Sequence, residues 1–582
     1  MDEATPDARL PGIRPALSTG TAPAVPVAPV PGPQQWHRGL SLLAIVSLFI
    51  GTRAAWTAAM SSRPAVGGVI SVCYAGILLC AVLTLTVHSR RALTRVDLGV
   101  LVLAVTLVGC HYMLHHAGND EGVLTAQAAA QIAHGRPVYG QPWPWLFGTP
   151  QVGLTKTMSG GGDYTYAYPP LTALLTAPVY TVLPTPAAAT AVVTAALVAG
   201  SVLLWSLLPP PWRPAATAVC LGFSFLPAAA ANGYPAIVAV ALLVPVAVRW
   251  PATGAGGRLG RGGALRAACL GAACATQQLA WFLIPFLLVG LYAVRRAELG
   301  TGAALKLLGR YVALAALVWA VVNARFAAQG FHDWLAGQLL PLTQKAILHG
   351  QGLMGISYYF TDGSRRLDFY SYSSILLLLG LLAATFLFVR RLGPALTVLP
   401  WIPFYFATRS QDGYFLLMTP LWLASAATVP ATALAAAWQP RPPRLLGRRI
   451  PAFAALAALT SPALLCAGIA AASPPPLHMI LHPHYTSRPR LGVNDITVRV
   501  VNVYDRTLTP HFASRFGQGA SRWWHVRSGP LSLAPGASAT YVVVPPGGFR
   551  ALPRGGLPRL RLIAVTGTPM TITSATVDLP HG

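Results

Sequence analysis

The chain has 582 residues, of which 54% are hydrophobic and 10% charged, with a mean hydropathy of +0.55. A soluble domain is about a quarter charged, so there is too little charge here to coat three or four globules, and a cytosolic enzyme is excluded. The composition predicts an α-helical polytopic membrane protein with modest soluble parts. The net charge of +26 arises from 41 Lys+Arg against 15 Asp+Glu. In a membrane chain, basic residues gather in cytoplasmic loops and set orientation, and no basic, aromatic-interleaved module that would take nucleic acid is present. Lysine occurs only at Lys156, Lys306 and Lys345, an Arg-over-Lys, Ala-rich usage expected of a GC-rich genome such as an actinobacterium's. The seven cysteines lie in apolar runs, with neither a disulfide framework nor zinc-ligand spacing. They read as small buried hydrophobes.

Residues 1–37 are rich in Pro, Ala and Thr without an apolar run, which predicts a disordered cytoplasmic tail rather than a signal peptide. Apolar stretches follow at 39–56, 66–88 and 97–114. Arg90, Arg91 and Arg95 put the second connection inside, so the loop 111–167 is expected outside. Further stretches run through 168–184, 186–208, 214–230 and 233–249. The block 267–294 is basic at both flanks and reads as two helices that rise and return, with Gln277 and Gln278 near the outer turn. Next come 308–323, an outer loop 324–372, 373–389, 394–407, a short outer loop 408–413, 414–437 and 451–472. Parity requires one stretch to dip without crossing, and 168–184, which opens with Tyr168-Pro169-Pro170, is the candidate. About 11–13 membrane segments result, spanning residues 38–472. The last part, 473–582, is different material. Residues 493–504, 538–544 and 558–578 alternate by twos between Gly/Pro turns, the pattern of a small extracytoplasmic antiparallel β-sandwich.

Acids are scarce enough to place one by one. Asp120, Glu121, Asp163, Asp333, Asp362, Asp368 and Asp412 all fall in the three loops assigned to one side. Such a bias is what a site on that face requires, although loops also simply tolerate acids. The sharpest element is His115-His116-Ala-Gly-Asn119-Asp120-Glu121, followed by an amphipathic helix pattern ended by Gly135 and Pro137. Like-charged neighbours that are partly desolvated gain proton affinity, which suits a general base. A helix N-cap with an acidic first turn explains the same residues equally well. His111 and His115 are spaced i, i+4, yet no HExxH is present.

The order of these features resembles the GT-C superfamily of membrane glycosyltransferases. More narrowly, Asp120-Glu121, then HGRPVYG, then YAYPPLTALLTAPVY is similar to the bacterial polyprenol-phosphate-mannose-dependent mannosyltransferases. The later pieces ATQQLAWFLIPFLL (275–288), FHDWLAGQLLPL (331–342), GQGLMGIS (350–357) and ATRSQDGYFLLMTPL (407–421) keep that order, over roughly 95–440. A β domain after the last span resembles the carbohydrate-binding modules of actinobacterial arabinofuranosyltransferases. The resemblance implies an enzyme of the plasma membrane, with its N-terminus cytoplasmic. It would move mannose or arabinofuranose, with inversion, from a polyprenyl-phosphate donor to a cell-envelope glycan or glycolipid. It implies Asp120 as base, with Glu121 orienting the acceptor or sharing that role. Arg409, Lys345 and Gln278 would serve the donor phosphate, with Arg365 and Arg366 as weaker candidates. Gln277 stands where relatives often have Lys, which removes one phosphate cation. Tyr164, Tyr168 and Asp163 would line the acceptor or sugar cleft, and Trp523 and Trp524, with His525, would form a sugar platform. Belt anchoring competes for the tyrosines and is favoured for Trp143 and Trp145, while sandwich core is favoured over platform for Trp523 and Trp524. No firm cofactor is implied; some relatives use a divalent metal. A transporter or flippase of lipid-linked sugars, or a non-catalytic envelope-binding protein, is the alternative class.

Overall fold

The computed structural model describes residues 33–148, 152–344, 346–348, 350–411, 413–440, 452–485, 493–516, 519–547 and 559–578. Within them, eight helices are long and apolar enough to cross a bilayer, and two bent helix pairs raise the figure to ten. The protein is thus a polytopic helical membrane protein carrying a C-terminal β domain, with fewer crossings than the 11–13 expected. The difference lies in Gly260–Cys274, a helix of 15 residues, and in the segments after residue 393. Pro394, Pro400, Pro403, Pro420 and Pro430 break these apolar runs into helices of ten residues or fewer, such as Ile402–Phe406 and Thr419–Thr428. Hydropathy alone counts such runs as spans. The Leu171–Val182 helix, expected to dip without crossing, has 12 residues. At 1.5 Å per residue it covers about 18 Å, short of a hydrocarbon core of about 30 Å.

The first helix, Pro33–Ser62, starts earlier than expected, so residues 33–37 are helical rather than part of a disordered tail, and residues 1–32 lie outside the described residues. It packs with Pro64–Thr86 and Arg90–Leu114, the last begun by the Ser89 hydroxyl accepting from the Ala92 amide at 3.1 Å. Where these three meet, Asp97 is buried and accepts from Ser41 at 2.5 Å, with His37 Nε2 also at 2.5 Å. By contrast Val72, 72% exposed, faces outward as lipid-facing residues must. The block 267–294 does form two helices, Gly260–Cys274 and Leu279–Leu299, turning at Ala275–Gln278.

The β domain is a sandwich of two antiparallel sheets. Leu477–Tyr485, Val493–Asn502, Ser538–Val544 and His525–Ser528 form one in that order. In the other, His511–Phe516 pairs with Arg559–Gly567, which pairs with Met570–Asp578. The alternating run 558–578 is therefore a hairpin rather than one strand. Phe512, Trp524 and Tyr541 fill the space between the sheets. The second sheet is extended by a two-residue strand from the helical part, Gly363–Ser364, registered on Thr573 and Ile572. Sandwich and helical bundle are thereby joined through backbone hydrogen bonds as well as packing.

Removing one partner from a buried polar pair leaves the other without compensation. Asp97→Ala is expected to cost about 3–5 kcal/mol, read as a lowered thermal unfolding midpoint of the detergent-solubilised protein.

Candidate active site

Asp120 and Glu121 open the Asp120–Ala133 helix, with Asn119 as N-cap. The helix start is held against the turn at Asn232–Gly233: the Asn119 amide donates to the Asn232 carbonyl at 3.0 Å. A Cβ on Gly122 would lie 2.5 Å from that same oxygen, so only glycine permits the approach. The acidic pair stands in the first turn of the helix, as one of the two sequence readings has it. One Asp120 oxygen accepts from the Glu121 amide at 2.9 Å, as an acid in a first helical turn does. The other accepts from the Thr155 hydroxyl at 2.8 Å.

Two cavities meet here. The smaller, about 90 Å³, is polar and lined by Asn119, Asp120, Thr155, Asp163, Tyr234 and Gln411. The larger, about 190 Å³, is lined on its polar part by Gln277, Gln278, Gln344 and Tyr414, and elsewhere by Leu279, Phe282, Ile375, Leu378 and Phe404. Glu121, Tyr168, Pro341 and Arg409 belong to both. Ile375 is 56% exposed on the lipid-facing side of its helix, so the apolar wall reaches the outer surface of the bundle.

Burial dominates the electrostatics. Desolvation raises the Asp120 pKa, opposed by the Thr155 and Glu121 amide hydrogen bonds and by the Arg409 charge. Glu121 is pushed up to about 8, first by desolvation and then by the Asp120 charge; the Tyr168 hydroxyl, hydrogen-bonded to it, and Arg409 oppose the shift. At neutral pH Glu121 therefore holds its proton. Desolvation also raises Asp163, against the pull of Arg409 and Gln344. Arg409 is surrounded by acceptors and keeps its charge: Nε donates to the Tyr414 hydroxyl at 3.1 Å, one terminal nitrogen to Gln344 Oε1, and the other lies 3.5 Å from Asp163. Gln344 in turn donates to Asp163, so Asp163, Gln344 and Arg409 form a closed triangle.

Of the residues singled out by sequence, Asp120, Glu121, Asp163, Tyr168, Arg409 and Gln278 come together. Gln278 departs from its expected duty: its Nε2 donates to the carbonyls of Ala167 at 2.7 Å and Gln338 at 2.8 Å. Both amide hydrogens are thus taken, and Oε1, a bare acceptor, does not suit a phosphate. Gln277 accepts from the Gln278 amide at 2.9 Å. Among the described residues lining the two cavities, Arg409 is the cation. Lys345 and Asp412 lie outside the described residues.

The remaining candidates are elsewhere. Tyr164 stacks edge-on to Phe147, with ring centroids 5.6 Å apart, and lines neither cavity. Trp524 is sandwich core, its Nε1 donating to Ser514 and Ser521. Trp523 donates from Nε1 to the Gly161 carbonyl at 2.9 Å, against the helical part. Trp524 therefore presents no ring face as a platform, while Trp523 is partly buried at the contact with the helical part. Trp143 is buried beside Tyr166 rather than anchored in a membrane belt, whereas Trp145 is exposed. Arg365 lies over the Tyr504 ring and Arg366 over Phe369, outside both cavities. Thr155, Gln344 and Tyr414 were missed by sequence reasoning, since each acts through a partner far along the chain and none has a local signature.

A metal fits poorly. Among the described residues no three His, Cys, Asp or Glu side chains gather to hold an ion. The Asp120 oxygens are already occupied and Asp163 is bound to Arg409. His111 and His115 stack on one another, with centroids 5.0 Å apart. The chain matches no protein-family model and no curated protein.

The paired carboxylates give a direct test. A hydrophobic carbodiimide labels protonated buried carboxyls, so labelling of Glu121, read by mass spectrometry, is expected to persist through neutral pH and fade around pH 8. In Asp120→Asn, loss of the neighbouring charge lowers the Glu121 pKa, and the midpoint should move to lower pH.

Proposed function

We propose that the protein is a membrane glycosyltransferase of GT-C type, transferring mannose or arabinofuranose from a polyprenyl-phosphate donor to a cell-envelope glycan or glycolipid acceptor. The reading rests on one arrangement: a partly buried carboxylate pair and a partly buried arginine where a polar cavity meets one whose apolar wall opens toward lipid. A substrate with a charged head and a long hydrocarbon tail matches the larger cavity in both respects. The smaller suits a hydroxyl-rich acceptor. On this reading the loops 111–167, 324–372 and 408–413 and the β domain are extracytoplasmic, where envelope polymers are.

The chemistry follows from which groups are ionised. Asp120 lines only the acceptor cavity and accepts from the Thr155 hydroxyl and the Glu121 amide, bonds that favour its ionised form. It takes the proton of an acceptor hydroxyl as that oxygen bonds to the anomeric carbon. The bond from that carbon to the donor phosphate oxygen breaks, the electron pair leaves with the lipid phosphate, and attack from the opposite face inverts the centre. Arg409, a fork of donors at the junction, neutralises the leaving phosphate. Glu121, kept protonated, adds a hydrogen-bond donor rather than a second negative charge beside that phosphate. Tyr168 is fixed by its carbonyl accepting from the Tyr139 hydroxyl at 2.7 Å and closes the junction.

The decisive measurement is transfer from radiolabelled polyprenyl-phosphate-mannose and polyprenyl-phosphate-arabinose to an envelope extract by purified protein. Asp120→Asn is expected to lower turnover by at least about 100-fold, the range of a lost general base. Arg409→Ala should weaken donor binding more than acceptor binding. Glu121→Gln, which preserves the neutral form, should keep most activity near pH 7. Wild type should lose activity as pH rises through about 8, and Glu121→Gln should lack that alkaline limb. Full turnover in Asp120→Asn removes the assignment.

A further inference from the structure

The polypeptide between the two halves of the site is a short hairpin, and its tip is embedded in the β-sandwich. At its base, the Asp163 amide donates to the Thr155 carbonyl at 3.0 Å, and Lys156 bridges Gly162. The two strands end on the two chemical groups of the site. Thr155 holds Asp120 on one side, and on the other Asp163 is tied to Arg409 directly and through Gln344. The tip turns at Thr157–Gly161. Met158 is fully buried there among Ala513, Ile563, Val565 and Ile572 of the sandwich. The Trp523 indole N–H donates to the Gly161 carbonyl at 2.9 Å, and the Trp523 ring meets His511 edge-on at 6.0 Å. Gly160, at φ +81°, lies so close to His511 that a Cβ would sit 2.3 Å from the ring nitrogen. Next to it, Arg522 donates to the Phe147 carbonyl at 3.3 Å.

We infer that the β-sandwich is a positioning element of the active site: by gripping the hairpin tip through Trp523, His511 and the pocket for Met158, it sets where Thr155 holds Asp120 and where Asp163 holds Arg409. The catalytic consequence rests on the transferase reading above; the mechanical coupling does not. An isolated hairpin of fewer than a dozen residues is marginal in water, and this one carries five small or flexible residues, Ser159 to Gly162 and Thr157, at its tip. Apart from the Thr157–Ile347 bridge and neighbours such as Ala346 and Leu348 in the Met158 cluster, the packing around its tip comes from the sandwich. A tether that merely grips polymer would have no reason to spend its tryptophan and histidine on this contact. Trp523 and His511 are accordingly positioning residues: they touch neither cavity.

The test uses the full-length protein in nanodiscs, comparing Trp523→Phe, Trp523→Ala and Gly160→Ala with a control in the sandwich, Arg559→Ala, whose ion pair with Asp578 lies on the exposed surface. Gly160→Ala leaves the sandwich sequence intact, so it covers the case in which a tryptophan variant fails to fold. Hydrogen–deuterium exchange is read on peptides covering 154–163, together with carbodiimide labelling of Asp120 and turnover. Trp523→Ala and Gly160→Ala should raise exchange in the hairpin by about tenfold or more, Trp523→Phe less, and the control not at all. Releasing the Thr155 hydroxyl removes a bond that favours ionised Asp120, so its labelling should extend to higher pH; Glu121, Arg409, Asp163 and Lys156, the other charged groups facing it, are unchanged in these variants. Turnover should drop tenfold or more, with the donor KM within about threefold. Unchanged hairpin exchange in both variants, with the sandwich folded, overturns the inference whatever the activity. Raised exchange without a shift in Asp120 labelling does so as well. Raised exchange and shifted labelling in a protein that transfers neither donor would leave the coupling standing and remove the transferase reading.

Discussion

Arg409 lies partly buried between carboxylates that come from parts of the chain some 250–290 residues away, and most of the surrounding architecture serves to keep it there. At 3.5 Å and an effective dielectric near 20, its attraction to Asp163 is about 5 kcal/mol. Taking each ion out of water costs several kcal/mol, so such a pair roughly breaks even. The pair is therefore explained by what it positions rather than by net stabilisation. The same accounting explains the Glu121 proton. Loss of water around Glu121 makes its charged form costly, the neighbouring Asp120 charge adds to that cost, and both are relieved by leaving Glu121 neutral. Its pKa is raised from an ordinary 4.5 to about 8. The neutral form thus contributes stability that is complete below about 4.5 and is lost as pH rises toward 8. A folded state that gives up stability near neutral pH to keep an acid protonated is unusual for a purely structural carboxyl and ordinary for a functional one.

Several separate devices bring these groups to one point. Gly122 lets the acidic helix touch the Asn232 turn, and the break at Ala275–Gln278 brings an amide side chain between two carbonyls. Gln338, whose carbonyl receives that amide, is itself fixed by donating to Asn323, which also accepts from Trp334 at 3.1 Å. The Leu171 amide, donating to the Ala275 carbonyl at 2.9 Å, locks the short helix Leu171–Val182 against the same turn. Each contact satisfies a buried polar group, so the network around the cavities is as constrained as a packed core.

What could be read from sequence divides along a physical line. Local periodicity revealed the strands at 493–504 and 538–544, the long apolar helices, and the double turn at Gln277–Gln278, because each depends on residues within a few positions. The acidic pair was visible because acids are so rare here that Asp120-Glu121 stands out. Proline-broken segments after residue 393 misled because hydropathy measures apolarity and not helix continuity. The strand Gly363–Ser364 could not be seen at all: two residues have no period, and only the exposed edge of the distant Met570–Asp578 strand defines them. Thr155, Gln344 and Tyr414 were hidden for the same reason. Trp523 and Trp524 look alike in sequence, yet one faces the sandwich core and the other the helical part, as the alternation of side chains along an extended segment dictates.

The two-cavity arrangement also bears on why a β domain is joined to the bundle through backbone pairing rather than a loose linker. A site between a lipid-facing cleft and an aqueous pocket cannot be closed by membrane helices alone, because helices present side chains and keep their backbone bonds to themselves. The polar half needs loops, and loops at that level need something rigid to lean on. The hairpin 155–163, the strand 363–364 and the segment around Ala346, whose amide meets Met570 sulfur at 3.4 Å, all lean on the same sheet. Anchoring three loops to it ties the polar wall of the site to the sandwich.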